Sequence, residues 1–262
     1  HKGVAGVATA TVISRIINLV IVVLLGAVLV KAKQHPERES NREVMGQIIR
    51  IGLPSACETA IYNVSMTLVI RFLNQMDAQG LNVTARSYTM QITNFSYCVG
   101  AALAQANAIM TGWHIGAKEY DACDRGTRKA AIIGVIVAVI LETMFALCSG
   151  WIMQLFSKDP QMVSLVGKLL AIDIVLEMGR VTNLVYGQAL KTSGDAVFPV
   201  VMGACFMILC SVGGTYLFGI RLGLLAVGAY IGMAGDECVR AVGMYLRWKS
   251  GKGKEKGLVK SR

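Results

Sequence analysis

Seven long stretches of mostly apolar residues restrict what this chain can fold into more than any other feature. A helix needs about 20 apolar residues to cross the hydrocarbon core of a bilayer. The stretches cover residues 4–30, 50–73, 83–110, 130–151, 162–189, 197–219 and 223–246. Because lipid offers no hydrogen-bond partner to an open backbone, stretches of this length predict helices. We therefore expect an all-α membrane protein with about seven transmembrane helices.

The composition excludes the main soluble classes of protein. Hydrophobic residues make up 54% of the 262 residues and charged residues only 16%, whereas soluble domains carry about 25% charged residues. This leaves too little polar surface for a soluble enzyme, a disulfide scaffold or a disordered regulator. The three His are isolated and the seven Cys form no CxxC or Cys/His cluster. We expect no catalytic centre and no cofactor.

An intramembrane aspartyl protease is the enzyme alternative, and it would require a GxGD motif. Residues 192–195 read TSGD and residues 233–236 read MAGD. Neither matches the motif, so the sequence favours a protein that is not an enzyme.

The positive charge predicts the orientation of the chain in a membrane. The net charge is +10, and residues 247–262 alone hold seven Lys and Arg against one Glu. When the loops are counted alternately, seventeen Lys and Arg fall on one side and three on the other. Cytoplasmic loops are enriched in these residues. We expect a multi-pass protein of the plasma (inner) membrane with a cytoplasmic C-terminus, whose basic tail meets membrane lipids and not nucleic acid.

The topology also predicts how the chain is divided. An odd number of spans with a cytoplasmic C-terminus places His1 outside, and we therefore expect that residue 1 is not the natural start of the chain. The first and last spans show a faint similarity, as expected for a six-helix repeat, although two spans rich in Gly and Ala can look alike for no such reason. The expected parts are the sixth helix of an N-terminal lobe (1–30), a cytoplasmic linker (31–47), a six-helix lobe (48–246) and a basic cytoplasmic tail (247–262). The rest of the N-terminal lobe would be missing.

Glu58 is the first candidate for cation coupling. A carboxylate at the centre of a membrane helix costs about 2.5–3.5 kcal/mol, so one found there is a candidate functional residue. Glu58 lies four residues after Pro54, which removes a backbone donor nearby. Tyr62 and Met66 share its helix face and offer a soft surface to a lipophilic cation. The spacing therefore predicts a site for a proton or Na⁺ beside a substrate surface, or else a carboxylate that pairs with a neighbouring helix.

A second candidate cluster lies in the fifth span. Asp173, Glu177 and Arg180 are spaced i, i+4 and i+7, with Asn183 beside them. Two acids this close cannot both ionise cheaply, so they are expected to share a proton until a cation replaces it. Alternatively, Arg180 neutralises Glu177 through an i, i+3 pair and leaves Asp173 as the titrating group. Apart from a possible Na⁺ at Glu58 or Asp173, the sequence predicts no metal site.

The third span is unusually polar for a membrane helix. Its polar residues recur at spacings of three, four or seven, which places them on one face of a helix. Such a stripe either lines a wet cavity or hydrogen-bonds neighbouring helices. We expect a substrate cavity that includes Tyr62, Met66, Gln91, Asn94, Gln105, Arg180 and Asn183.

The remaining acids within spans are expected to be structural. Asp236 and Glu237 lie four and three residues before Arg240, so each can form an ion pair with it on one helix face. Glu142 lies nearer the outer interface, where a carboxylate is less costly.

Four segments in this order resemble the C-terminal half of multidrug and toxic compound extrusion (MATE) transporters. They are IGLPSACE, CVGAALAQANAIMTGWHIGAKEYDAC, GQALKTSGDAVFPVV and GLLAVGAYIGMAGDECVRAVGMYLRWKSGK. Residues 1–30 resemble the sixth helix of these proteins, and residues 48–246 resemble helices seven to twelve. The resemblance implies two six-helix lobes around a central cavity, and export of cationic small molecules or drugs in exchange for H⁺ or Na⁺ by alternating access.

The resemblance also bears on the coupling ion and on rival functions. Glu58 matches an acidic position in the seventh helix of many bacterial members. Arg180 stands near the position of the tenth-helix Asp in sodium-binding members, which favours proton coupling. One rival is a lipid-linked oligosaccharide flippase of the same superfamily, which needs basic cavity residues, and only Arg15 and Arg180 are expected to supply them. The other rival is an inactive fragment, because half of a two-lobe cavity should not transport alone.

Overall fold

The computed structural model describes residues 3–29, 41–77 and 79–251, and all regular structure in these ranges is helical. The predicted all-α fold class is confirmed. The helices are α1 (Gly3–Leu29), α2 (Asn41–Met76), α3 (Leu81–Gly116), α4 (Tyr120–Leu147), the short α5 (Ser149–Met153), α6 (Pro160–Thr192), α7 (Val197–Phe206), which continues through two π-helical segments (Met207–Val212 and Thr215–Arg221), and α8 (Leu225–Lys249).

Each of the predicted apolar stretches overlaps one long helix. By length and composition alone, three segments of the described chain are apolar enough to cross a membrane: Ala8–Ala27, Tyr120–Leu147 and Val197–Arg221. The other long helices, α2, α3, α6 and α8, carry charged side chains among their apolar ones. The number of spans therefore stays a prediction.

Two of the expected loops are shorter in the structure. The predicted stretches 83–110 and 130–151 leave the charged segment 114–129 between them as a solvated loop, but α3 ends at Gly116 and α4 begins at Tyr120. Arg and Lys are good helix formers. The negative charge of Asp121 in the first turn of α4 also interacts favourably with the positive end of the helix dipole. Likewise, α2 begins inside the expected linker 31–47. The remainder of that linker and most of the tail 247–262 lie outside the described residues.

The chain divides into two compact units, residues 1–46 and residues 47–262. In the first unit, α1 is mostly apolar, and several of its polar residues lie together at helical spacing. These are Thr11, Ser14, Arg15 and Asn18. The second unit contains most of α2 and all of the later helices, and the candidate site lies entirely within it.

Helix α6 is at the centre of the second unit and packs against α3, α4 and α8. It begins with Pro160 at its first turn, and Asp159 Oδ1 accepts a hydrogen bond from the Gln161 backbone N–H at 3.0 Å. A proline and an acidic N-cap are the residues that favour a helix start at this place. Fifteen of its 33 residues are buried, and they include the polar residues Asp173, Glu177 and Asn183, which therefore lie inside the second unit.

The turn between α2 and α3 is held by Asp77. Its two carboxylate oxygens accept hydrogen bonds from the backbone N–H groups of Leu81 and Asn82, both at 2.9 Å. Partial burial acts to raise the pKa of Asp77, but these hydrogen bonds outweigh it and hold the pKa below its usual value. Asn82 in turn accepts a hydrogen bond from Ala226 N at 3.1 Å. The turn thereby joins the beginnings of α3 and α8.

Close backbone packing brings the π-helical segments against α8. A Cβ on Gly214 would lie 2.8 Å from Gly232 Cα, and a Cβ on Gly232 would lie 2.9 Å from Cys210 O. Only glycine permits this approach. It lets the Ser211 hydroxyl reach Asp236 on α8, where it donates to Oδ2 at 2.9 Å.

We expect Gly179→Ala to lower the free energy of unfolding by about 1–3 kcal/mol, the usual cost of overpacking a core. A Cβ on Gly179 of α6 would lie 2.8 Å from Cys238 N and 2.9 Å from Glu237 C, which are backbone atoms of α8 that cannot rotate away. The matched control is Gly126→Ala on α4, where no heavy atom lies within 4 Å. Denaturant unfolding in detergent measures both variants. Equal stability of the two would contradict the packing assigned to α6 and α8.

Candidate functional site

A cavity of about 770 Å³ lies among α2, α3, α6, α8 and the first π-helical segment. Glu58, Tyr62 and Met66 line it from α2, where the i, i+4, i+8 spacing places them on one helix face. Other residues predicted from the sequence line it from α3 and α6, namely Asn94, Asp173, Arg180 and Asn183. The structure therefore brings most of the predicted site residues together, while their roles in transport stay predictions.

Three predicted site residues do not line this cavity. Gln91 and Gln105 lie on exposed parts of α3. Gln91 is rotated by about 100° from its lining neighbour Met90, whereas Gln105 lies beyond Tyr97, the last residue of α3 that lines the cavity. Glu177 lies behind the cavity wall, with its side chain 0% exposed.

Glu58 forms an ion pair across two helices. Lys191 Nζ, near the end of α6, donates a hydrogen bond to Glu58 Oε2 at 2.6 Å. The two side chains are 20% and 19% exposed, respectively. Such a pair is stabilising when its members are both charged, but it remains reachable from the cavity. A proton or a cation that reaches Glu58 therefore competes with Lys191.

Arg180 pairs with two acids on different helices. Its Nη1 donates to Glu177 Oε2 at 2.8 Å, and its Nε lies 3.7 Å from Glu237 Oε1 on α8. The i, i+3 pair proposed as an alternative is thus confirmed. It leaves Asp173 as the acid of this stripe that no ion pair neutralises in the described chain, and Asp173 Oδ2 is buried without a hydrogen-bond partner there.

The expected ion pairs of α8 are also confirmed. Arg240 donates to both oxygens of Asp236 at 3.0 Å, and its Nη2 lies 2.8 Å from Glu237 Oε1. Asn183 of α6 donates to Glu237 Oε2 at 3.0 Å. The Asn183 bond fastens α8 to α6 along the cavity, and together these bonds satisfy two carboxylates that would otherwise be costly inside a membrane.

The sequence did not predict three basic residues that line the cavity, Arg86, Lys191 and Arg240. The flippase alternative was expected to have only Arg15 and Arg180 as basic groups, and this expectation was wrong. Lys191 stands 133 residues from its partner, so no local spacing indicates the pair. A signal for Arg86 existed, because an Arg inside a membrane span faces protein or water.

The cavity is balanced in formal charge. Four acids and four bases line it: Glu58, Asp173, Asp236, Glu237, Arg86, Arg180, Lys191 and Arg240. Arg86 is 7% exposed and has no salt bridge within the described residues; its Nη2 lies 3.6 Å from Met66 Sδ. The described residues hold no group of three His, Cys, Asp or Glu side chains arranged to bind a metal ion. The cavity can therefore exchange protons and hold charged small molecules.

Comparisons with known proteins agree on one kind of relative. The MatE family model matches residues 54–217. "Uncharacterized transporter YisQ" of Bacillus subtilis is 34% identical over 98% of this chain and 56% of its own length. "Probable multidrug resistance protein NorM" of Pasteurella multocida is 22% identical over 80% of this chain and 46% of its own length.

A solved structure shows the same fold. The crystal structure of MATE in the straight conformation superposes with a TM-score of 0.79 at 19% identity, over 97% of this chain and 57% of the solved one. The chain spans about half the length of the relatives that it matches.

We expect Arg180→Met to lower the free energy of unfolding by about 3 kcal/mol, because it leaves the buried Glu177 without a counter-charge. Adding Glu177→Gln removes that charge, so the double variant Arg180→Met/Glu177→Gln should recover much of the loss. Arg221→Met, at an exposed position, is the control and should change little. Denaturant unfolding in detergent gives all three values. A double variant less stable than Arg180→Met would contradict this account of the pair.

Proposed function

Because the chain belongs to the MatE family, we propose that it forms the C-terminal lobe of a secondary active antiporter that exports organic cations or drugs in exchange for H⁺ or Na⁺. The match confirms the family resemblance predicted from the sequence, and members of this family are membrane transporters and not enzymes. The lobe would sit in the plasma (inner) membrane with its C-terminus in the cytoplasm. Its partners would be membrane lipids, cationic small molecules and an N-terminal lobe of the same polypeptide.

The observation that carries this proposal is that one cavity contains an acid in an ion pair, Glu58, and an acid without one in the described chain, Asp173. Glu58 is bonded to Lys191 but partly exposed, and Asp173 has a buried oxygen without a partner in the described chain. A carboxyl of either kind binds a cation when it is ionised and loses that attraction when it is protonated. Proton binding and substrate binding at these acids therefore exclude one another. This exclusion is what an antiporter needs in order to couple the two movements.

The ion pairs support a proton over Na⁺ as the coupling ion. A sodium ion prefers several oxygen ligands, whereas a proton needs one carboxyl. In the cavity, Glu58, Asp236 and Glu237 already accept hydrogen bonds from Lys or Arg side chains, or have one within ion-pair distance. Their oxygens are therefore less available as metal ligands than those of Asp173. Proton coupling is the first form of the proposal, and Na⁺ at Glu58 or Asp173 is the second.

Alternating access follows from an exchange of partners. A proton that reaches Glu58 neutralises it and frees Lys191, so the link between α2 and α6 weakens. An organic cation that reaches the ionised Glu58 takes the place of Lys191 and keeps a proton from binding there. Either occupant therefore breaks the Glu58–Lys191 link between α2 and α6, which is intact while Glu58 is ionised and unoccupied. A difference of this kind between occupied and unoccupied states can bias a two-state equilibrium.

We expect Glu58→Gln to reduce gradient-driven efflux of ethidium by roughly tenfold, which corresponds to about 1.4 kcal/mol of lost differential binding. Efflux is measured from everted vesicles that carry the full-length transporter, under a pH gradient and separately under a Na⁺ gradient. Asp173→Asn should act in the same direction. Glu119→Gln, at an exposed position between α3 and α4, is the matched control.

The gradient that drives efflux identifies the coupling ion. Efflux under a pH gradient alone supports the proton form, and efflux under a Na⁺ gradient alone supports the sodium form. No efflux under either gradient would overturn the proposal of a cation-coupled drug antiporter. The 262-residue chain expressed alone should transport nothing, and transport by it would contradict the assignment as one lobe.

A second function, flipping of a lipid-linked oligosaccharide, is supported by one observation. Four basic side chains line the cavity, and Arg86 has no acidic partner within the described residues. A guanidinium in such a place can bind a phosphate through two parallel hydrogen bonds.

The variant Arg86→Gln separates the two functions. In a cation exporter, loss of this positive charge should leave ethidium efflux unchanged or raise it. In a flippase, it should reduce translocation of a pyrophosphate-linked lipid by roughly tenfold, since a charge-assisted contact contributes about 1.5–3 kcal/mol. Arg221→Gln serves as the control in both assays.

A further inference from the structure

Glu142 is a buried acid that the cavity does not include. It lies on α4, in a stripe of buried, mostly small residues at helical spacing that faces the interior of the lobe: Ala131, Gly134, Ala138 and Glu142. A Cβ on Gly134 would lie 2.7 Å from Val181 Cγ1 of α6, which shows how closely α4 and α6 approach. The opposite face of α4 is apolar and exposed. Glu142 therefore points into protein and not toward lipid.

The surroundings of Glu142 offer no counter-charge bound to it. The side chain is 0% exposed, and neither of its oxygens has a hydrogen-bond partner by geometry within the described chain. The Ser96 hydroxyl of α3 is its polar neighbour and is also buried. The charged groups that act on it all come from α6, namely Asp173, Glu177 and Arg180, and the short α5 carries none. Glu142 therefore differs from Asp236 and Glu237 of α8, which both form ion pairs with Arg240.

Glu177 is an acid whose charge acts on Glu142 and that also contacts a residue of the cavity wall. Its Oε2 accepts the hydrogen bond from Arg180, which lines the cavity. Its Oε1 faces the other way: it is buried without a partner in the described chain and lies 4.0 Å from a Cβ placed on Gly100 of α3. One turn away, Asp173 lines the cavity directly and has one oxygen without a partner. The acids thus form a series from α4 through α6 to the cavity.

A carboxylate in such a place is costly, because burial removes its hydration and no bound cation replaces it. A neutral carboxylic acid avoids that cost, and its O–H can donate to a neighbouring oxygen. We propose that Glu142 is a proton-binding site behind the cavity wall, and that its proton exchanges with the cavity through Glu177 and Asp173. When the proton leaves Glu142 for Glu177, the acceptor becomes a neutral acid and Glu142 becomes a carboxylate that Arg180 partly offsets.

This proposal deepens the proposed antiport. It rests on the antiport only where it says that the proton held by Glu142 takes part in transport. If the antiporter is proton-coupled, Glu142 holds a proton out of reach of the substrate while Asp173 and Glu58 exchange theirs in the cavity. The presence of the site itself does not depend on any substrate.

Infrared spectroscopy of the full-length transporter tests the site without transport. At neutral pH we expect a C=O stretch from a protonated carboxyl that Glu142→Gln removes. Ser96→Ala should shift the band, because the hydroxyl beside the carboxyl is gone. Glu119→Gln, just before α4, and Ser87→Ala, on α3, alter exposed residues of the same types; they are the matched controls and should leave the band in place. If Glu142→Gln fails to fold, the Ser96→Ala shift still assigns the band.

The route to the cavity is tested by hydrogen–deuterium exchange of the same band. Transfer into heavy water shifts the band at the rate at which the proton exchanges. We expect this rate to fall at least tenfold in Glu177→Gln or in Asp173→Asn, and to be unchanged in Glu119→Gln. A band that Glu142→Gln leaves intact, or an exchange rate unaffected by both α6 variants, would overturn the inference.

The outcomes separate this inference from the antiport proposal. A transporter with the Glu142 band but no efflux under any gradient retains the proton site and loses the proposed function. A transporter with proton-driven efflux but no such band retains the function and loses the site.

Discussion

The cost of an unpaired charge away from water is the constraint on which this lobe depends. Inside a membrane, an acid or base is retained only if it is paired, faces a wet cavity or is neutral. The first two solutions are observed in the unit formed by residues 47–262, and the third is the one that we propose for Glu142. Arg240 pairs with Asp236 and Glu237, Glu58 is paired at the edge of the cavity, and Glu142 is buried away from it.

The pairs also determine where the helices lie. Glu58 with Lys191 joins α2 to α6, and Glu237 with Asn183 joins α8 to α6. Replacing buried pairs with apolar residues is often neutral or stabilising, so their presence is weak evidence for stability alone. In the proposed antiporter, the value of the Glu58–Lys191 pair is that Glu58 exchanges its partner for a proton or a substrate. A contact that joins two helices of the cavity wall would then be the contact that the transported ion changes.

Local spacing predicted those parts of the site that lie within one helix. The face shared by Glu58, Tyr62 and Met66 and the pairs made by Arg240 follow from the 3.6-residue period, and the structure contains both arrangements. The same reasoning placed Gln91 on the cavity stripe, although it lies outside the lining. A spacing of three or four residues does not say how far around the helix the lining residues extend. The packing of the neighbouring helices decides which residues at the edge of the face reach the cavity.

The sequence by itself determined the class of the protein, because apolar stretches of bilayer length and four ordered motifs indicate a helical transporter lobe before any contact is known. It also determined which acids carry a cost that needs an explanation. Only the tertiary structure decided how each cost is met. Lys191 reaches Glu58 from 133 residues away, and Glu142 receives no such partner in the described chain. Pairing between helices depends on their packing, and no pattern along a single helix contains that information.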